Sequence, residues 1–216
     1  MKKLTLLLAL ALAGGVAQAD NLLINGGFEG SAPLQNNRGD ANSMALTTGS
    51  TYLPGWRVIG PEVAWIGQGN PYNLHAAEGE RFVDLTGWLN QNGNQGGLTQ
   101  TIQTVAGQQY VLEFDLGSSS FYNWGQPNSL TASAGNASQL FSNTNVSDYG
   151  SWQHFSLNFT ATGNTTEISF VGNTAGYYIG LDNARVTAAV PEIETWAGLL
   201  AGLGALGLLA RRRKQG

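Results

Sequence analysis

Aromatic side chains set among amides are the residues of this 216-residue chain most suited to recognition chemistry. Trp56, Trp65, Trp88, Trp124 and Trp152 are accompanied by Tyr72, Tyr122 and Tyr149. A sugar ring presents C–H faces that stack on aromatic planes, while Asn and Gln side chains match its hydroxyls. The runs Trp88-Leu-Asn-Gln-Asn-Gly-Asn-Gln95 and Phe121-Tyr-Asn-Trp-Gly-Gln126 each hold aromatics inside a polar, Gly-containing segment. Trp88, Asn90, Tyr122, Trp124 and Gln126 are therefore the candidate sugar-contacting residues. Large aromatics also fill sandwich cores, and both roles stay open for these positions. Trp56 and Trp152 fall at strand starts and are expected in the core.

Catalytic chemistry finds less to work with. Glycoside hydrolysis needs two carboxyl groups about 5–10 Å apart across a cleft. Glu78 with Glu80, or Glu113 with Asp115, could share a strand face at such a spacing, and His75 precedes the acidic group Glu78, Glu80 and Asp84. Nothing around them resembles a hydrolase motif, and no Gly-x-Ser-x-Gly elbow follows a strand. His154 alternates with Phe155 and is expected to face solvent. With no Cys there is no disulfide, thiolate metal site or Cys nucleophile. The expectation is a protein without catalysis. Arg38-Gly39-Asp40 spells an adhesion tripeptide, which we read as a chance occurrence in a polar loop.

The segments that hold these residues are mostly short and alternating. Tyr110, Leu112, Phe114 and Leu116 share one face, as do Phe155, Leu157 and Phe159, the period-two pattern of half-buried strands. Strands are expected over 22–28, 56–59, 62–66, 81–85, 98–105, 110–117, 129–134, 153–161, 166–171 and 177–187, with long polar loops at 30–50 and 90–97. No amphipathic helix is evident between them. The predicted fold is all-β, an antiparallel two-sheet jelly-roll sandwich, over a domain of residues 20–188.

Both ends of the chain read as addresses. Lys2 and Lys3 precede an apolar stretch and Ala17-Gln18-Ala19, the pattern of a signal peptide spanning 1–19. At the other end, 189–216 contain Pro191-Glu192, an uncharged run 196–210 and the basic group Arg211, Arg212, Arg213 and Lys214. Fifteen helical residues cover about 22 Å, short of a hydrocarbon core of about 30 Å. The basic end should hold that side in the cytoplasm. Between the two addresses lie twelve carboxylates and four arginines, Arg38, Arg57, Arg81 and Arg185. Such an acidic domain excludes nucleic acid as a partner.

Two resemblances follow. The tail resembles the PEP-CTERM sorting signal of Gram-negative bacteria, with Ile193 where that family has a second Pro. This implies an exosortase as partner, membrane insertion of the 196–210 helix, and export across the inner membrane to the envelope, surface or extracellular matrix. The series Asn21-Leu-Leu-Ile-Asn-Gly-Gly-Phe-Glu29, Leu53-Pro-Gly-Trp56, Gly79-Glu-Arg-Phe-Val-Asp-Leu85 and Ile179-Gly-Leu-Asp-Asn-Ala-Arg-Val186 resembles galactose-binding-domain-like jelly rolls, which include many carbohydrate-binding modules. That likeness implies a structural Ca²⁺ held by Glu29 and Asp182, with carbonyl oxygens completing the shell. Without a metal, Glu29 would cap a turn and Asp182 bond locally. The expected function is a non-catalytic carbohydrate-binding or matrix-associating protein. A purely structural surface protein or a glycan hydrolase are the alternatives.

Overall fold

The structure, a computed structural model, describes residues 20–89, 96–119, 127–145, 147, 150–173 and 178–189. The expected signal peptide and the sorting tail lie outside the described residues, as do Asn90, Tyr122, Trp124, Gln126, Pro191, Glu192, Arg211, Arg212 and Arg213.

The described residues form eleven strands: β1 (Ser43–Thr47), β2 (Arg57–Ile59), β3 (Glu62–Gly67), β4 (Arg81–Asp84), β5 (Gly97–Gln103), β6 (Gln109–Ser118), β7 (Asn128–Ala134), β8 (Ala137–Asn143), β9 (Ser151–Thr160), β10 (Thr165–Gly172) and β11 (Gly180–Ala188). They make a six-stranded sheet ordered β1-β3-β4-β11-β6-β9 and a five-stranded sheet ordered β2-β5-β10-β7-β8. All strand pairs are antiparallel. This is the expected two-sheet jelly-roll sandwich. Apart from the β3–β4 and β7–β8 pairs, successive strands alternate between sheets, and inward residues of both sheets meet in one core. Tyr110, Leu112, Phe114 and Leu116 are all buried there, and Phe114 meets Phe141 and Phe170 edge-on at 5.2 and 5.1 Å between ring centroids.

Three expectations need correction. Residues 22–28 do not form a strand; Asn25 and Phe28 take left-handed φ values of 55° and 54°, and the segment turns to bury Leu23 and Phe28. It still docks on β11, where Leu22 N donates to Val186 O (2.9 Å) and Val186 N to Asn21 Oδ1 (2.9 Å). β1 arises in the stretch expected to be a loop, and β8 in one where no strand was expected. Trp152 starts β9 but is half-buried on the outer face of the six-stranded sheet, not in the sandwich core.

A second, smaller core covers part of that outer face. The chain between β3 and β4 folds over it, packing Tyr72 and Leu74 against Ala64, Ile66, Phe82 and Tyr178, with Trp88 and Trp152 at its margin. Strand β11 sets the polarity of the molecule. Gly180 pairs with Asp84 and Gly117, while Ala188 pairs with Tyr110. One end of the sandwich therefore gathers the chain around Trp88, Ser119, Asn128 and Tyr178. The other gathers Asp20, Val105, Ala161 and Ala189. Nine residues of β11 separate the ends by about 30 Å.

Candidate functional site

At the Trp88 end the chain leaves β4 through a buried carboxylate. Asp84 Oδ1 accepts from Thr86 N and Ile179 N, both at 2.9 Å, and burial pushes its carboxyl up to about 6 against those hydrogen bonds. The next turn needs a left-handed residue, supplied by Gly87 (φ 58°). Glu62, fully buried on β3, then accepts from Trp88 N (2.8 Å) and Leu89 N (3.2 Å). Its second oxygen takes the Arg38 guanidinium, a charge partner that a buried carboxylate requires.

The indole is held separately. Trp88 Nε1 donates to Asp40 Oδ2 at 2.7 Å, and Tyr72 hydrogen-bonds the same carboxylate. Burial, followed by that hydrogen bond, raises the Tyr72 phenol well above its ordinary pKa. Trp88 is half-buried and Leu89 beside it is exposed. An aromatic ring with backbone and indole both pinned, and part of its surface open, is a preorganised contact surface.

Neighbouring loop roots are stitched to it. Tyr178 N donates to Thr86 Oγ1 (3.2 Å), Ser119 Oγ to Tyr72 O (3.2 Å), and Asn128 Nδ2 to Tyr178 O. Ser119 and Asn128 flank the run containing Tyr122, Trp124 and Gln126, and Leu89 and Gly96 flank Asn90. The bracketing residues of both candidate segments thus stand at one end of the sandwich, although the segments lie outside the described residues.

Arg38, Asp40 and Glu62 had no assigned role in the sequence. Arg38 and Asp40 belong to the tripeptide read as chance, yet each clasps the Trp88 turn. The partners lie 24 to 48 residues apart in the chain, and no local pattern announces such pairs.

The outer face of β11, β6 and β9 carries a charged strip. Arg185 donates to Glu113 through Nε (2.9 Å) and Nη2 (3.2 Å). His154 lies within 2.8 Å of Asp115 and 3.3 Å of Glu113, and Asn183 Nδ2 donates to Asp115 at 3.0 Å. Burial alone would raise the Glu113 carboxyl, but Arg185 and His154 bring it below its ordinary value. The hydrogen bond to Asp115 raises the His154 pKa. Glu113 and Asp115 do share a face, as expected, and His154 is indeed exposed. All these groups are engaged with one another. The adjoining groove, about 820 Å³, is bordered by Asn21, Asn25, Glu29 and Glu78.

Glu29 and Asp182 converge on a single turn. Glu29 Oε1 accepts from Glu80 N (2.7 Å) and Arg81 N (2.9 Å). Asp182 Oδ2 accepts from Ala77 N (2.8 Å) and Glu78 N (3.0 Å), and its Oδ1 from Asn183 N (2.7 Å). Glu29 therefore caps the turn in the way expected without a metal. Asp182 is fully buried, and burial, with the Glu29 charge adding to it, pushes its carboxyl up to about 7. The donors are all oxygen, and a divalent cation would offset the buried charge, so their chemistry suits Ca²⁺. Among the described residues no three His, Asp or Glu side chains group as a metal site. A cation here would need backbone carbonyls as well.

Comparison with known proteins gives the following. No curated protein matches the chain. Similar solved structures include TmCBM61 in complex with β-1,4-galactotriose (20% identity, 63% of this chain, 90% of that one, TM-score 0.43). A family 35 carbohydrate-binding module from Clostridium thermocellum is similar at 12% identity (69% and 100% covered, TM-score 0.42). The CBM22-1 xylan-binding domain of Paenibacillus barcinonensis Xyn10C is similar at 12% identity (70% and 96%, TM-score 0.42). A family model described as Protein of unknown function (DUF642) matches residues 21–177, nearly the whole sandwich, and the chain belongs to that family.

Proposed function

We propose that this protein is a non-catalytic carbohydrate-binding module, exported and sorted by its PEP-CTERM-like tail to the cell envelope or extracellular matrix. One observation carries the reading: Trp88 is fixed by Asp40 and Glu62 at the end of the sandwich where the roots of the aromatic- and amide-rich loops converge. A half-open indole in that setting suits the C–H face of a pyranose, and the Asn and Gln of segments 90–95 and 121–126 suit its hydroxyls. Glu29 and Asp182 would hold a structural Ca²⁺ that joins the two chain ends without disulfides. The charged strip on β6 and β9 gives little support to hydrolysis, because Glu113 and Asp115 are each bound to a cation or amide rather than facing each other across a cleft.

A glycan array followed by titration calorimetry tests the proposal. Trp88→Ala should weaken binding about tenfold or more when measured well below the variant's melting transition, which loss of a half-buried ring and of its bond to Asp40 should lower. A featureless array would favour a purely structural surface protein, and release of reducing ends from a bound polysaccharide would make it a hydrolase.

A further inference from the structure

A second groove, about 720 Å³, lies at the opposite end of the molecule and wraps round the edge of β9. It is within the size range of ligand sites, on the order of 300–1,000 Å³. Its rim is formed by Gln109, Asn136, Asn158, Thr160 and Thr162, with Tyr110 and Phe159 in its lining. These two rings are stacked, 5.4 Å apart and 18° from parallel, and both are buried. The five rim residues are exposed. Among the described residues no charged side chain lines the groove.

The contrast with the charged strip is instructive. There, Arg185, Glu113, Asp115, His154 and Asn183 spend their hydrogen bonds on each other. Among the described residues no hydrogen bond engages the side chains of Asn136, Asn158, Thr160 or Thr162. Amides and hydroxyls offer donors and acceptors together, so four unspent groups around one concavity match a ligand that is itself both donor and acceptor at many points. A carboxylate or sulfate entering the groove would lose water without meeting a cation, a cost the site cannot offset.

We propose that this groove is a second binding site, taking a neutral polyhydroxyl ligand such as an unsubstituted stretch of glycan chain. It rests on the carbohydrate-binding reading for its ligand class but not on the Trp88 end. If both sites bind, the protein can bridge two chains, and its apparent affinity for a polymer exceeds that of either site.

The side-chain amide signals of Asn136 and Asn158 report on this groove directly by NMR. The probes are β-1,4-galactotriose, xylotriose and cellotriose as neutral ligands and trigalacturonate as the charged control. Saturable shifts of both amides are expected with at least one neutral trisaccharide, insensitive to salt and preserved in Trp88→Ala. Asn158→Ala combined with Thr160→Ala should weaken that binding about tenfold. The proposal is overturned if no neutral probe moves the two amides, if trigalacturonate moves them equally, or if Trp88→Ala abolishes the shifts. Failure of the Trp88 reading is seen separately, as an unmoved Trp88 indole signal while the amides respond.

Discussion

Replacing Asp84 by Asn should remove a defined pH dependence from folding. Asp84 is 5% exposed, and its carboxyl titrates at about 6 in the fold against 3.8 for the free side chain. Between those values the folded state holds a proton that the unfolded state has released, so stability falls as pH rises. At about 1.36 kcal/mol per pH unit the full cost is about 3 kcal/mol, and most of it develops between about pH 4 and about pH 7. For a domain of this size one kcal/mol corresponds to roughly 2–4 °C. Over that range the melting temperature of the wild type should fall about 5–10 °C further than that of Asp84→Asn. The variant retains an amide oxygen for Thr86 N and Ile179 N, and any constant cost of the exchange cancels in the comparison. Melting followed by circular dichroism in EDTA gives both curves. Parallel curves, or a wild type that gains on the variant as pH rises, would refute the reasoning.

The remaining expectations are shorter. EGTA should lower the melting temperature and Ca²⁺ restore it, by selective binding to the folded state, with the response absent in Asp182→Asn; an unchanged wild-type curve removes the calcium site and leaves the sandwich intact. Gly26→Ala should cost about 3 kcal/mol or more, because an added Cβ would lie 1.8 Å from Ala184 O. Gly163→Ala, whose nearest atom would be 3.8 Å away, is the neutral control, and chemical denaturation of both would expose an error if they behaved alike. Intact-mass analysis of the protein from its native host should show a chain ending near Glu192; a chain still carrying 196–216 would make the tail a simple anchor.

The sequence revealed most of the sandwich because strands such as β6 and β9 write their two faces in alternating residues. β1 escaped notice because Ser43 to Leu46 are buried on both faces, which erases the alternation, and β8 because Leu140 is exposed while Asn143 is buried, which breaks it. Residues 22–28 misled for another reason: Leu23 and Phe28 are buried, but by a turn at Asn25 that leaves Ile24 exposed. At the candidate site, Trp88 was legible as an aromatic in a polar loop. The clasp of Arg38, Asp40 and Glu62 depends on contacts that exist only once β3 and the long loop have come together. Trp152 was misassigned because nothing local distinguishes a core from a second, smaller core on the outer face.

The attachment of β11 also fixes how the sandwich carries load. A pull entering at the Trp88 end and leaving through Ala189 runs along β11, across hydrogen bonds that lie perpendicular to it. The pairs from Gly180–Gly117 to Ala188–Tyr110 are then strained together in shear, the resistant geometry. A pull between Asp20 and Ala189 instead opens the Leu22–Val186 contact first, peeling one bond at a time. The same fold is mechanically strong when held at Ala189 and loaded at Trp88, and weak when stretched between Asp20 and Ala189.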